Sequence, residues 1–120
     1  MFEHVGLHVY SLDASVRFYG AALAPLGYVL CGRDAASAWF GPPNEPALWL
    51  YADGATTNAH IAFRAPDRAS VDSFHRRGVE AGGRDHGAPG LRTDYTPTYY
   101  AAFLRDPDGN NIEAVCMVAP

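Results

Sequence analysis

Three side chains in this sequence have donor atoms that suit a divalent metal: His4, His60 and Glu113. Two imidazoles and one carboxylate make the 2-His-1-carboxylate facial set, which leaves coordination positions open for substrate or oxygen. The same donors accept Fe, Mn, Ni, Co or Zn, so the residue types do not select the ion. Such a set works only if all three groups reach one point, and strand alternation offers a way. Side chains along a strand point to opposite faces in turn. Val5, Leu7 and Val9 then share one face, opposite His4, Gly6 and His8. Ile61, Phe63 and Ala65 oppose His60, Ala62 and Arg64, and Ile112, Ala114 and Cys116 oppose Glu113. Covering helices need an apolar face, which the three apolar sets supply. His4, His60 and Glu113 are therefore expected on the other face. A second account of Glu113 is a plain ion pair, with Arg64 or His8 on its own face neutralising it. His8 is also placed to act as a base beside the metal, or to be an ordinary hydrogen-bonded histidine.

The elements that must position these residues are legible as a repeat. "HVGLHVYSLDASVRFY" from His4 and "HIAFRAPDRASVDSFH" from His60 each read as strand, turn and helix, with the two histidines 56 residues apart. Self-similarity over half a chain means two copies of one supersecondary unit. In the first copy Leu12, Val16, Tyr19 and Leu23 fall on one helical face. Pro25 and Gly27 end that helix. Strands follow near 28–31, 38–41 and 47–52, and "DGATTN" at 53–58 links the halves. In the second copy Asp67 is the expected N-cap of a helix carrying Val71 and Phe74, stopped by Gly82-Gly83. A short strand near 84–86, the long loop "GAPGLRTDYTP", and strands in "TYYAAFL" and "NNIEAVCM" complete it. Between the last two, "DPDG" places Pro107 and Gly109 as a type I turn requires. The fold class is thus α+β. Two tandem β-α-β-β-β modules, about 1–53 and 59–118 of a single domain over 1–120, form an incomplete, cup-shaped mixed β-barrel with helices outside.

Composition narrows the partners. The formal net charge is -4, and the nine basic residues are all Arg, scattered along the chain without a basic stripe. That argues against nucleic acid. No apolar run approaches the roughly 20 residues that span a bilayer. The N-terminus lacks a basic n-region and a small-residue cleavage site, so a cytoplasmic protein is expected. Cys31 and Cys116 are read as reduced, buried thiols.

"HVGLHVYSLDASVRFY", "ALAPLGY", "AHIAF" and above all "FLRDPDGNNIEAV" resemble the vicinal oxygen chelate superfamily, the glyoxalase/bleomycin resistance protein/extradiol dioxygenase family. The likeness covers essentially the whole chain. It implies two β-α-β-β-β modules with metal ligands on the first and last strand of each, which places them at His4, His60 and Glu113. It also implies a fourth ligand position near Trp49, where no carboxylate stands, so a strict glyoxalase I assignment is weakened. The resemblance implies a metal-dependent lyase, isomerase or ring-cleaving dioxygenase, with the ion as Lewis acid or oxygen site for a small molecule bearing vicinal oxygens. The alternative is a metal-free protein that sequesters a flat hydrophobic ligand, as bleomycin resistance proteins do. Catalytic roles then fall to Glu113 and His8, and Trp49, Arg64 and Tyr99 are expected to line the substrate site. Family members usually pair, and the open strand edges of a partial barrel need covering, so a homodimer is expected.

Overall fold

Residues 1–54 and 58–120 are described by a computed structural model. Strand β1 (Val5–His8) leads into helix α1 (Leu12–Leu23), which ends in a single 3-10 turn (Ala24–Leu26). Strands β2 (Val29–Arg33), β3 (Ser37–Gly41) and β4 (Leu48–Tyr51) complete the first module. The second repeats it: β5 (His60–Arg64), α2 (Arg68–Glu80), β6 (Arg84–Leu91), β7 (Tyr100–Arg105) and β8 (Asn111–Cys116). The linker expected over 53–58 includes residues 55–57, which lie outside the described residues.

Each module is a four-stranded mixed sheet, ordered β1-β4-β3-β2 and β5-β8-β7-β6. The first strand of each lies parallel to the last, and the remaining pairs are antiparallel. Among the described residues β1 and β5 are edge strands, so the sheets do not close into a barrel. Val5 N–H donates to the Ala47 carbonyl just before β4 and Val9 N–H to the Tyr51 carbonyl at its end, which turns the main-chain groups of Gly6 and His8 to the open edge.

The helices cover much of the apolar sheet faces, but Val5, Ile61 and Phe63, expected there too, are only partly buried and line an open cavity. Leu7, Val9, Ile112, Ala114 and Cys116 are fully buried in one continuous core with Phe18, Tyr19, Leu23, Val71 and Phe74. The buried stripe of α1 is wider than the four residues expected from periodicity, since Ser15, Phe18 and Ala22 join it because α1 packs on α2 as well as on its sheet. Two glycines permit close packing of α2 on β7 and of the chain after α2 on α1. A Cβ on Gly78 would lie 2.3 Å from Leu104 Cδ1, and one on Gly83 2.3 Å from Phe18 Cε1. Both cysteines are free thiols, Cys116 in the core.

Local signals behave as their chemistry dictates. Ser11 and Asp67 cap α1 and α2, accepting from Ala14 N–H and Ser70 N–H. Gly27 takes the left-handed conformation that ends the 3-10 turn. One boundary differs: β6 runs eight residues, well beyond the short strand expected near 84–86. Gly87 and Gly90 sit at irregularities in its ladder with β7, so a segment of low β-propensity is carried by cross-strand pairing.

The Asp67 cap yields a pH prediction. Hydrogen bonds from the Ser70 hydroxyl and then the Ser70 N–H hold its carboxyl below the usual 3.8. A carboxylate with a depressed folded pKa contributes stability above 3.8 that disappears as pH falls through the lower, folded value. Asp67→Ala should lower the melting temperature at pH 7, with the gap to wild type closing below pH 3.8. A gap unchanged at pH 2 in a thermal-melt series contradicts it.

Candidate functional site

The last strand of the second module brings Glu113 to the face away from the helices. Its neighbours Ile112 and Ala114 enter the core, while Glu113 stands between Ala62 of β5 and Phe103 of β7. Although on the outer face, it is only 2% exposed. A buried carboxylate needs partners, and Glu113 has two. His60 Nε2 lies 2.9 Å from Oε1, and the Tyr99 hydroxyl donates to Oε2. Burial first, and then the bond to Glu113, push the Tyr99 phenol up to about 12, so it remains a donor at neutral pH. The ion pair expected with Arg64 or His8 is therefore replaced. Arg64 is exposed at the end of β5, its carbonyl accepting from the Tyr28 hydroxyl at 3.4 Å. His8 bonds Asp53 Oδ2 at 2.6 Å and lies against Tyr51.

The repeat can be followed residue by residue through the registers. Gly6 pairs with Trp49 as Ala62 pairs with Glu113, so Trp49 occupies the first module's equivalent of Glu113. Trp39 pairs with Trp49 as Phe103 pairs with Glu113. Where the second module has a carboxylate held by His60, the first has two indoles stacked at 4.8 Å, with the His4 ring edge-on to Trp49 at 6.4 Å. His4 itself bonds Glu3, and both are exposed. Spacing between equivalent positions rises from 55 (Gly32 to Gly87) to 64 (Trp39 to Phe103), so the second module carries nine extra residues between Gly87 and Phe103, which lengthen β6 and its connection to β7. Tyr99 comes from that insertion.

The donor chemistry of His60 and Glu113 fits a first-row divalent ion. Asn111 adds to this: it is in register with His60, shares the parity of Glu113, and its buried Oδ1 has no partner among the described residues. His4 does not join them, because among the described residues no three His, Cys, Asp or Glu side chains are grouped to hold a metal. Two protein ligands are fewer than the three that catalytic sites use. Between the facing edges of β1 and β5 lies a cavity of about 740 Å³, lined by His4 and His60 with Tyr28, Phe40, Leu48 and Phe63.

Residues 31–114 match the Glyoxalase/Bleomycin resistance protein/Dioxygenase superfamily. The chain belongs to that superfamily. The uncharacterized protein PA2024 of Pseudomonas aeruginosa is 31% identical over 92% of this chain and 84% of its own length. Among solved structures, a glyoxalase/bleomycin resistance protein from Albidiferax ferrireducens superposes with a TM-score of 0.82 at 30% identity, over 100% of this chain and 99% of that one. A lactoylglutathione lyase from Agrobacterium tumefaciens shares the fold, with a TM-score of 0.67 at 23% identity over 97% and 92%. No helix among the described residues is long and apolar enough to cross a membrane.

Other residues whose types could serve a site are occupied within the fold. Cys116 is core, as expected. The His75 ring is mostly covered and bonds Asp85 at 2.9 Å. His86 faces Arg105 at 3.2 Å. Tyr100 turns to the helix side, donating to Asp72 at 2.6 Å. Sequence reading passed over Asn111, Phe103, Trp39 and Arg92. Parity would have found Asn111, two residues before Glu113, whereas Arg92 reaches the site through a loop whose path no local pattern specifies.

Proposed function

We propose that this protein is a divalent-metal enzyme acting on a small molecule with adjacent oxygen atoms, and that it works as a homodimer. The observation that carries the proposal is the buried Glu113 carboxylate, with one oxygen turned to His60 Nε2 and the other held by Tyr99. In this reading His60 and Glu113 are two ligands, and His4 of a second copy is the third. The open edges of β1 and β5 support pairing, since uncovered edge strands invite a partner. The internal repeat supports it too, because a module from one copy can stand beside the other kind of module from its partner. A bound ion supplies a Lewis acid that polarises substrate oxygens. The chain's own groups do the rest. Tyr99 fixes the Glu113 rotamer with Oε1 turned to His60 Nε2, where the two groups would hold the ion. Trp49 and Trp39 form an apolar wall on the first module, and Phe103 one on the second.

A second reading, sequestration of a flat ligand without metal, is favoured by the stacked Trp39–Trp49 pair and the edge-on His4 ring, which form a ready stacking surface. Metal uptake separates the two. Dialysis of metal-stripped, untagged protein against Mn, Fe, Co, Ni and Zn salts should give about one bound ion per chain for at least one metal, and His60→Ala should lose it. Wild type that takes up none of the five overturns the enzyme reading in favour of the ligand-binding one.

A further inference from the structure

The nine extra residues of the second module deliver a charge as well as Tyr99. Arg92 begins the β6–β7 connection, its N–H bonded to the Tyr99 carbonyl at 2.7 Å. Its guanidinium folds back over the Phe103 ring, 5.5 Å from the centroid. Phe103 is the cross-strand neighbour of Glu113, and its ring lies 6.4 Å from that of His60. The cation therefore rests on the same sheet face as the His60–Glu113 pair, one aromatic ring away. Two glycines make room for it. A Cβ on Gly87 would meet Arg92 Nη2 at 3.3 Å, and one on Gly90 would meet Nη1 at 3.1 Å. One hydrogen bond, to the Ala88 carbonyl at 2.7 Å, aims the group. Among the described residues no carboxylate pairs with it, in contrast to Arg33, which is matched to Asp13. Arg92 is half-buried, so it holds a partly desolvated charge with most of its five N–H donors uncommitted.

From this arrangement we infer that Arg92 is a specificity residue for an anionic substrate, receiving a carboxylate or phosphate group while the rest of the molecule lies against Phe103 and the His60–Glu113 pair. The planar fork matches two oxygens of either anion. The aromatic ring beneath keeps its plane fixed and attracts its charge. This assignment rests on reading the His60–Glu113 face as the reacting site.

Matched aromatic probes test it through binding on the full chain: benzoate against benzamide, and phenyl phosphate against phenol, each titrated by tryptophan fluorescence. Wild type should bind at least one anion about tenfold more tightly than its neutral counterpart, the scale of a charge-assisted pair. Whichever anion shows the preference identifies carboxylate or phosphate as the group received. Arg92→Gln should abolish the preference while retaining wild-type metal uptake and circular dichroism. Arg92→Lys should keep part of it, because charge survives and the fork does not. Arg76→Gln, on the outer face of α2, should change nothing. Equal or undetectable binding of both members of each pair by wild type overturns the inference, as does an anion preference that survives in Arg92→Gln. Metal uptake without anion preference overturns this assignment alone, and anion preference without metal uptake overturns the metal reading alone.

Discussion

Asp106→Ala should destabilise the protein by at least about 3 kcal/mol, because several donors lose their only acceptor and each orphaned buried donor costs about 1–3 kcal/mol. Asp106 is 2% exposed at the start of the "DPDG" turn. Its Oδ2 accepts from the Tyr19 hydroxyl at 2.5 Å and from Asn110 Nδ2 at 2.9 Å. Its Oδ1 accepts from the main-chain N–H of Asp108 and of Asn110, both at 2.9 Å. Tyr19 and Asn110 are fully buried, so water cannot replace the lost acceptor. Burial, and then Asp106, keep the Tyr19 phenol well above its ordinary pKa, so it remains a donor throughout the accessible pH range. The effect extends beyond the turn. Tyr19 belongs to α1, and Tyr10 N–H donates to Asp108 Oδ1 at 3.0 Å, so this hairpin of the second module fastens the first. The turn also sets the start of β8 and hence the register of Glu113. Urea unfolding gives the number. A loss below about 1 kcal/mol, the worth of one ordinary hydrogen bond, would mean the turn is not the fastening it is taken to be.

That turn illustrates why much of the fold was legible. Pro107 and Gly109 impose backbone angles whatever lies around them, and Gly109 does adopt a positive φ of 86°. The cap at Asp67, the stop at Gly27 and the alternation in β1, β5 and β8 are equally local, so they survive into the structure. What was not legible depends on distant residues. The length of β6 is set by pairing with β7 across two glycines, and the width of the α1 stripe by α2, a helix more than forty residues on.

The candidate site divides along the same line. Alternation placed His60 and Glu113 on one face, and they meet. It could not place His4 relative to them, because a shared face in two separate sheets says nothing about distance when the sheets do not join. It named Arg64 and His8 as neutralising partners because they share that face, yet the partners are His60 and a tyrosine from the inserted loop. Trp49 in the position equivalent to Glu113 is the clearest asymmetry between the modules. It leaves the first module with an aromatic surface beside His4, and the second with the carboxylate beside His60.

The central claim is that one metal site takes His4 from one copy and His60 with Glu113 from the other. His4→Ala and Glu113→Gln should each weaken metal binding by well over about 100-fold, since losing a ligand costs more than the 10–100-fold lost with an outer partner. Glu113→Gln should still fold, because its amide oxygen can accept from Tyr99 and its amide N–H can donate to unprotonated His60 Nε2. The direct measurement is metal content of the mixed dimer, made by unfolding and refolding the two variants together and separating it by distinct tags later cleaved off. In that dimer the Glu113→Gln chain contributes His4 to the intact His60 and Glu113 of the His4→Ala chain. One site is whole and the other is doubly defective. The mixed dimer should therefore bind half the wild-type metal at wild-type affinity, although neither parent binds metal at that affinity. A mixed dimer as empty as its parents, from a wild type that does bind metal, would contradict the shared site and place all three ligands within one chain.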